Sequence, residues 1–199
     1  ARRHYLFGEW PSGWRAGLPE GYSIRQLDET LLADEMLQNR DDVKRWIQQT
    51  WTGHTENFPK RGTGAVIVHD DAIACWCLAV AVAGEKVELG IETHYTQRRK
   101  GLAALTAMAA VEFCQQDGFE VIDWHCDAIN FGSWKTAEKA GFILDREYTS
   151  YLYFFDPIVH FGVTGNYALV SKDYQSAVGW YKKAFAINPD PPSWLCFMA

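Results

Sequence analysis

The sequence predicts a mixed α/β (α+β) fold: a mainly antiparallel, twisted sheet flanked by helices, with a further pair of helices at the C-terminal end. Three observations carry this reading. Short β-branched and aromatic runs separated by tight turns fill residues 65–93. The stretch from Leu102 to Gln116 consists of strong helix formers and is apolar almost all round, as a buried helix requires. Beyond it, strand-like and helix-like patterns alternate up to about residue 155. A chain of 199 residues, 48% hydrophobic and 22% charged, has the composition to bury one core, with room for an appended element. The boundaries expected are a main domain over 1–156 and a helical tail over 157–199.

The first 21 residues mix turn formers with large aromatics (Trp10, Pro11, Gly13, Trp14, Gly17, Pro19, Gly21), which predicts an irregular segment packed on the domain. Tyr22 to Leu27 reads as a strand. Asp28 is an N-cap candidate for a helix running toward Leu37, and a second helix is expected from Asp41 or Asp42 to about Gln49. Residues 65–68 and 72–82 flank the turn His69-Asp70-Asp71 and predict a hairpin. Val87 to Thr93 alternates, with Val87, Leu89, Ile91 and Thr93 on one strand face and Glu88 and Glu92 on the other. Gly118 follows the long helix where a left-handed residue is usual. Val121 to Cys126 is a strand candidate, Asn130 caps a helix from Phe131 to Ala140 that Gly141 stops, and Tyr148 to Phe155 reads as a last aromatic strand.

The charge balance excludes some functions. A net charge of -6 argues against nucleic-acid binding, which needs a basic face. No apolar run reaches the length of a membrane span or a signal peptide, so a soluble cytoplasmic protein is expected. The five cysteines, Cys75, Cys77, Cys114, Cys126 and Cys196, sit in apolar contexts without metal-ligand spacing and read as reduced core residues.

The chemistry concentrates in Gln97-Arg98-Arg99-Lys100-Gly101-Leu102-Ala103, where three consecutive cations in an acidic chain join a strand to the start of an apolar helix. A helix N-terminus exposes unpaired N–H groups and a partial positive charge, and a glycine there lets a phosphate approach the backbone.

Several independent segments agree in order and spacing with one family. Glu88-Leu89-Gly90-Ile91-Glu92-Thr93-His94, then Arg98-x-x-Gly101-x-Ala103, a long helix, a strand, and Asn130-x-x-Ser133 running to Glu138-Lys139-Ala140-Gly141-Phe142 resemble the signature of the GNAT acetyltransferases. The resemblance covers roughly residues 22–153. It implies an N-acetyltransferase using acetyl-CoA or a close relative. Its pyrophosphate would be cradled by Arg98, Arg99, Lys100, Gly101, Leu102 and Ala103, mainly through their backbone amides. It implies further that the main chain of Ile91, Glu92 and Thr93 pairs with the pantetheine arm and that the neighbouring strand splays away to make room. Asn130 and Ser133 would lie along the pantetheine, and Asn130 is equally a plain helix cap. Pro19-Glu20-Gly21-Tyr22, Gly62-Thr63-Gly64, Gly90 to His94, Gly101-Leu102-Ala103 and Ala137-Glu138-Lys139 also resemble the branch containing the zwittermicin A resistance acetyltransferase.

The reaction so implied is direct attack of a neutral amine on the thioester, with no covalent enzyme intermediate. Glu92 is the preferred base, Glu88 the second; Glu92 could instead bind a cationic substrate. Many members carry a tyrosine, the usual acid for the departing thiolate, where this chain has Ala137; Tyr148, Tyr151 or Tyr153 is a substitute, and so is water. His94 and His125, with Asp123 and Asp127, carry no metal expectation, and His125 reads as a hydrogen-bonded structural histidine. In the tail, Tyr167-Ala168-Leu169, Tyr174, Ala177, Tyr181, Ala184, Phe185 and Pro189 resemble the packing positions of one tetratricopeptide unit, and Ser193 to Ala199 resembles the start of another helix. The partners expected are an acyl-CoA and a small amine, with a protein contact or homodimer through the tail. The competing class is a catalytically weak acyl-CoA-binding or interaction module.

Overall fold

Seven strands make one sheet: β1 (Arg2–Phe7), β2 (Tyr22–Gln26), β3 (Gly64–His69), β4 (Ala72–Ala83), β5 (Lys86–Thr93), β6 (Val121–Asp127) and β7 (Phe142–Tyr148), in the order β2-β3-β4-β5-β6-β1-β7. The computed structural model describes residues 1–51, 55–151 and 154–189. Two compact units divide the chain, Ala1–Tyr148 and Thr149–Ala199.

The hairpin of β3 and β4 forms where the turn residues require it. Asp70 and Asp71 take φ of 48° and 56°, the left-handed pair of a two-residue hairpin turn, and Asp is among the residues that tolerate it. β5 returns antiparallel to β4, and β6 runs parallel to β5, which demands a crossover. The long apolar helix supplies it.

That helix, α4 (Leu102–Gln116), is preceded by α1 (Glu29–Ala33), α2 (Arg40–Thr50) and α3 (Phe58–Arg61) and followed by α5 (Phe131–Lys139). Two cores flank the sheet. On one face Leu102, Leu105, Met108 and Val111 of α4 pack on Tyr5, Leu89 and Trp124 of the strands. On the other, Leu31, Val43, Ile47 and Phe58 pack on Val66, Ile73 and Trp76. The uniform apolarity of α4 is thus explained by burial along most of its length, and Gly118 closes it at φ 88°. Asp28 caps α1 by accepting the Leu31 amide at 2.8 Å, although α1 ends at Ala33, short of Leu37.

The N-terminal segment departs from expectation. Residues 2–7 are a full strand, antiparallel to both β6 and β7, so β1 lies between two strands that are consecutive in sequence. The turn-rich composition of residues 8–21 concealed it, and its alternation is obscured because Arg3 shares the face of Tyr5 and Phe7 while Leu6 lies on the other. The last strand is also misplaced by the sequence pattern. β7 occupies residues 142–148, and its run Asp145-Arg146-Glu147 does not alternate because an edge strand paired only with β1 need not bury a face. Leu152 and Tyr153, within the expected aromatic strand, lie outside the described residues.

The second unit holds a helical hairpin, α6 (Pro157–Val170) and α7 (Tyr174–Ile187). Asp156 and Asp173 cap the two helices by accepting the amides of Ile158 and Ser176 at 2.8 and 3.1 Å. Small residues allow close packing: Ala177 and Ala184 are buried, and Gly165 lies under the Tyr181 ring. The segment Ser193 to Ala199 lies outside the described residues, as does Cys196. Among the described residues, no helix is long and apolar enough to cross a membrane.

Tyr5 tests the missed strand, since its ring is fully buried with Trp124 and Leu144 as its strand partners. Tyr5→Ala is expected to cost about 3–5 kcal/mol in urea unfolding; a cost below about 1 kcal/mol, the range of a surface substitution, would contradict the placement of β1.

Candidate functional site

The site starts with an interruption in the sheet. β5 pairs with β6 from Lys86↔Val121 to Leu89↔Trp124 and no further, while Gly90, Ile91, Glu92 and Thr93 stay paired with Leu78, Cys77, Trp76 and Cys75 of β4. The two parallel strands therefore separate beyond Leu89, and the main chain of 90–93 is left without a β6 partner. Such an edge can accept an extended ligand as an added strand. Gly90 has a packing role here: a Cβ would collide with Val80 and with the Trp46 ring, which approaches the strand on the face that carries Glu88 and Glu92.

Residues Tyr95–Gln97 form a short 3-10 turn that leads from this edge to α4. Arg99 and Gly101 take left-handed φ values of 67° and 79°, and the backbone enters α4 with Gly101 as N-cap. No side chain caps the helix and no acidic residue lies in its first turn. The first amides of a 15-residue helix are thus left without side-chain acceptors, in the field of the positive end of the helix dipole. A Cβ built at Gly101 meets nothing within 4 Å, so the space in front of these amides is open.

That space belongs to a cleft of about 270 Å³ whose lining includes Thr93, Arg98, Arg99, Gly101, Lys135 and Lys139. Arg98 Nε donates to the Thr93 carbonyl at 3.3 Å and so ties the loop to the strand end. Lys100 is directed elsewhere: its Nζ donates to Tyr22 Oη at 2.9 Å and Gln97 Oε1 at 2.7 Å. Leu102 and Ala103 also line the cleft, with Leu102 anchored in the core. Lys135 and Lys139 escaped the sequence reading. The signal was present as two lysines four apart on the helix that Asn130 caps, which share one helix face.

The other expected site residues fall in three places. Asn130 Oδ1 accepts the Ser133 amide at 3.1 Å, a helix cap, and Ser133 Oγ accepts from Trp124 Nε1 at 3.0 Å. Glu88 and Glu92 share the sheet face opposite α4. Desolvation pushes the Glu92 carboxyl above the usual carboxylate range; Arg98 opposes this, Asp42 adds to it and His94 opposes it. Desolvation raises Glu88 as well, against the pull of the Arg2 guanidinium. Tyr148 ends β7 with its hydroxyl 2.8 Å from His125 Nδ1, so it belongs to a histidine cluster on β6 and β1. Burial, then the neighbouring His4 and Arg2, hold His125 below its ordinary pKa.

The described cysteines are free and buried. Burial pushes the Cys75 thiol up to about 11 and Cys114 to about 12, so neither is a thiolate nucleophile at neutral pH. Ala137, fully buried, holds no acid.

Comparison with known proteins gives a family and a fold. The sequence profile of the GNAT acetyltransferases matches residues 12–151. No curated protein matches. Among solved structures, a GCN5-related N-acetyltransferase-like protein from Streptococcus suis superposes with a TM-score of 0.52 at 23% identity, over 73% of this chain and 59% of that one. An acetyltransferase from the GNAT family of Colwellia psychrerythraea gives 0.51 at 14% identity, over 72% and 52%. The chain therefore spans little more than half the length of these two proteins. AAC(6')-Iy, an aminoglycoside N-acetyltransferase solved with the bisubstrate analogue CoA-S-monomethyl-acetylneamine, gives 0.50 at 18% identity over 67% of this chain and 98% of that one. At these identities the likeness is one of fold.

Diphosphate binding in this cleft is testable by calorimetry. Arg99→Glu and Lys139→Glu are each expected to weaken coenzyme A binding about tenfold or more, the cost of a lost charged hydrogen bond. Gly101→Val, strained at φ 79°, is expected to do the same without any change of charge. Unchanged affinity in all three variants would contradict the assignment.

Proposed function

The chain belongs to the GNAT acetyltransferase family, and on that premise we propose that it transfers an acetyl group from acetyl-CoA to the amine of a small molecule by direct attack. The observation that carries this reading is the uncapped start of α4 at Gly101, open to a cationic cleft and continuous with the unpaired edge of β5. The cleft fits a diphosphate in charge, and the absent Cβ at Gly101 leaves its amides accessible. The amides at the start of α4, with Arg98, Arg99, Lys135 and Lys139, would hold the pyrophosphate. The main chain of Ile91, Glu92 and Thr93 would receive the pantetheine. Bound there, the cosubstrate supplies an activated acyl group as a thioester.

What the chain itself must do is receive a cationic amine and remove its proton. Glu92, next to last in β5, stands beside the gap on the sheet face opposite α4, and its raised pKa makes its carboxylate a stronger base than an ordinary glutamate's. Glu88 stands on the same face as a second carboxylate. Trp46 packs against Gly90, which lies between them on the same face, and its ring suits an acceptor with an apolar part. An amphipathic cationic amine fits this surface, and the likeness to the zwittermicin A resistance branch points to an amino-bearing metabolite or antibiotic. With Ala137 buried and the Tyr148 hydroxyl bonded to His125, water is our preferred proton donor to the departing thiolate. We read Asn130 as a structural cap and Ser133 as the acceptor for Trp124.

The α6–α7 hairpin we read as one tetratricopeptide-like unit, supported by the small residues at its helix packing. Ala137 also favours a second reading, an acyl-CoA-binding module of weak activity that acts through this hairpin.

The discriminating experiment is thiol release from acetyl-CoA with a panel of amines. Turnover with at least one amine is expected; coenzyme A binding without turnover for any amine would favour the module. Glu92→Gln is expected to lower kcat about 10²–10⁴-fold while leaving coenzyme A affinity unchanged. The carboxylate is the active form, so a raised pKa moves the loss of kcat/KM on acidification to higher pH than an ordinary glutamate would give. This acid limb should disappear in Glu92→Gln. Equal rates for both proteins would eliminate Glu92 as the base.

A further inference from the structure

β1 brings a histidine to the one that the sequence left as structural. His4 of β1 and His125 of β6 are register partners, their rings stacked with centroids 4.4 Å apart. Asp123, two residues earlier on β6, completes a cluster in which one ligand-type atom from each of the three lies within 4.8 Å of the others.

The polar atoms of this cluster are not mutually satisfied. His4, only 6% exposed, presents Nε2 to Asp123 Oδ1 at 3.3 Å, and the approach lacks hydrogen-bond geometry. Both atoms are buried without a hydrogen-bond partner, an arrangement that costs free energy unless something is shared between them. The outward nitrogens are, in contrast, firmly held. His4 Nδ1 is 2.9 Å from Asp145 Oδ2 on β7, and His125 Nδ1 is 2.8 Å from the Tyr148 hydroxyl. Those contacts fix both rings with their Nε2 atoms available, and a carboxylate behind a histidine is the usual way of orienting a metal ligand.

We propose that His4, Asp123 and His125 form a binding site for a divalent first-row transition ion of the zinc class, which pins β1 to β6. Two ligand atoms each about 2.0–2.1 Å from such an ion in tetrahedral array stand ~3.4 Å apart, which matches the 3.3 Å between His4 Nε2 and Asp123 Oδ1. Two imidazoles and a carboxylate are a common ligand set for this class. The site is reachable, because Asp123 and His125 are only partly buried. Ion binding requires the three ligand atoms, which lie within 4.8 Å of one another, to close toward ~3.4 Å. Asp145 and Tyr148 act as outer partners that set the rings.

The site can be tested on the full chain, free of any affinity tag and stripped by a chelator, by titration with cobalt(II) and then zinc(II). Calorimetry and visible absorption should show one cobalt per chain with the bands of a nitrogen- and oxygen-ligated ion, displaced by zinc. Zinc should also raise the Tm. Asp123→Asn, nearly isosteric, and His125→Ala, on a partly exposed position, should each abolish the Tm shift and the stoichiometric binding, as a lost ligand must. Asp145→Asn should weaken binding by the roughly 10–100-fold typical of an outer partner. His160→Ala, on α6, should change nothing. Absence of stoichiometric binding at micromolar ion, or binding that Asp123→Asn and His125→Ala retain, would overturn the proposal.

Discussion

The site rests on an unmet demand of the backbone. A helix must leave its first amides unpaired unless a side chain accepts from them, and α4 begins at a glycine that offers none. The usual remedy, Ser, Thr, Asp or Asn at the cap, is what Asp28, Asn130, Asp156 and Asp173 supply to other helices of this chain. At Gly101 the remedy is withheld, while the cleft in front gathers positive charge from the loop and from α5. An anion is the partner that such an arrangement suits. The dipole and the charges act in the same direction.

The rest of the first unit holds that helix start in place. α4 is buried along most of its length against strands on one face of the sheet, so its axis cannot tilt without opening the larger core. Its position relative to the β5 edge is fixed by the short turn through Tyr95–Gln97 and by the Arg98 contact to the Thr93 carbonyl. β5 in turn keeps its pairing with β4 through to Thr93 while parting from β6 after Leu89. On the far side β6 is paired with β1 along Arg2 to Leu6, which satisfies one edge of β6 as its other edge opens. The gap is thus a feature of strand pairing and not of side-chain packing alone.

Much of this was legible in the sequence because it depends on local pattern. The alternation of Val87 to Thr93 correctly separated the core face from the face of Glu88 and Glu92, and the composition of residues 102–116 marked a buried helix. The β3–β4 hairpin followed from its two aspartates. Contacts distant in sequence were not legible. Nothing local in Arg2-Arg3-His4-Tyr5-Leu6-Phe7 says that it enters the sheet between β6 and β7, and without that insertion His4 has no relation to His125 or Asp145. Lys135 and Lys139 could be placed on one helix face but not beside Arg98, since their meeting depends on how α5 packs on α4. β7 was hidden by its charges, which an edge strand tolerates.

The most direct measurement of the anion-binding claim is the backbone amide spectrum of the isotope-labelled protein during titration with coenzyme A. The largest shifts are expected at Gly101, Leu102 and Ala103, where the amides gain an acceptor, with a second set at Ile91, Glu92 and Thr93. Shifts confined to other elements, with the amides at the start of α4 unmoved at saturation, would contradict it.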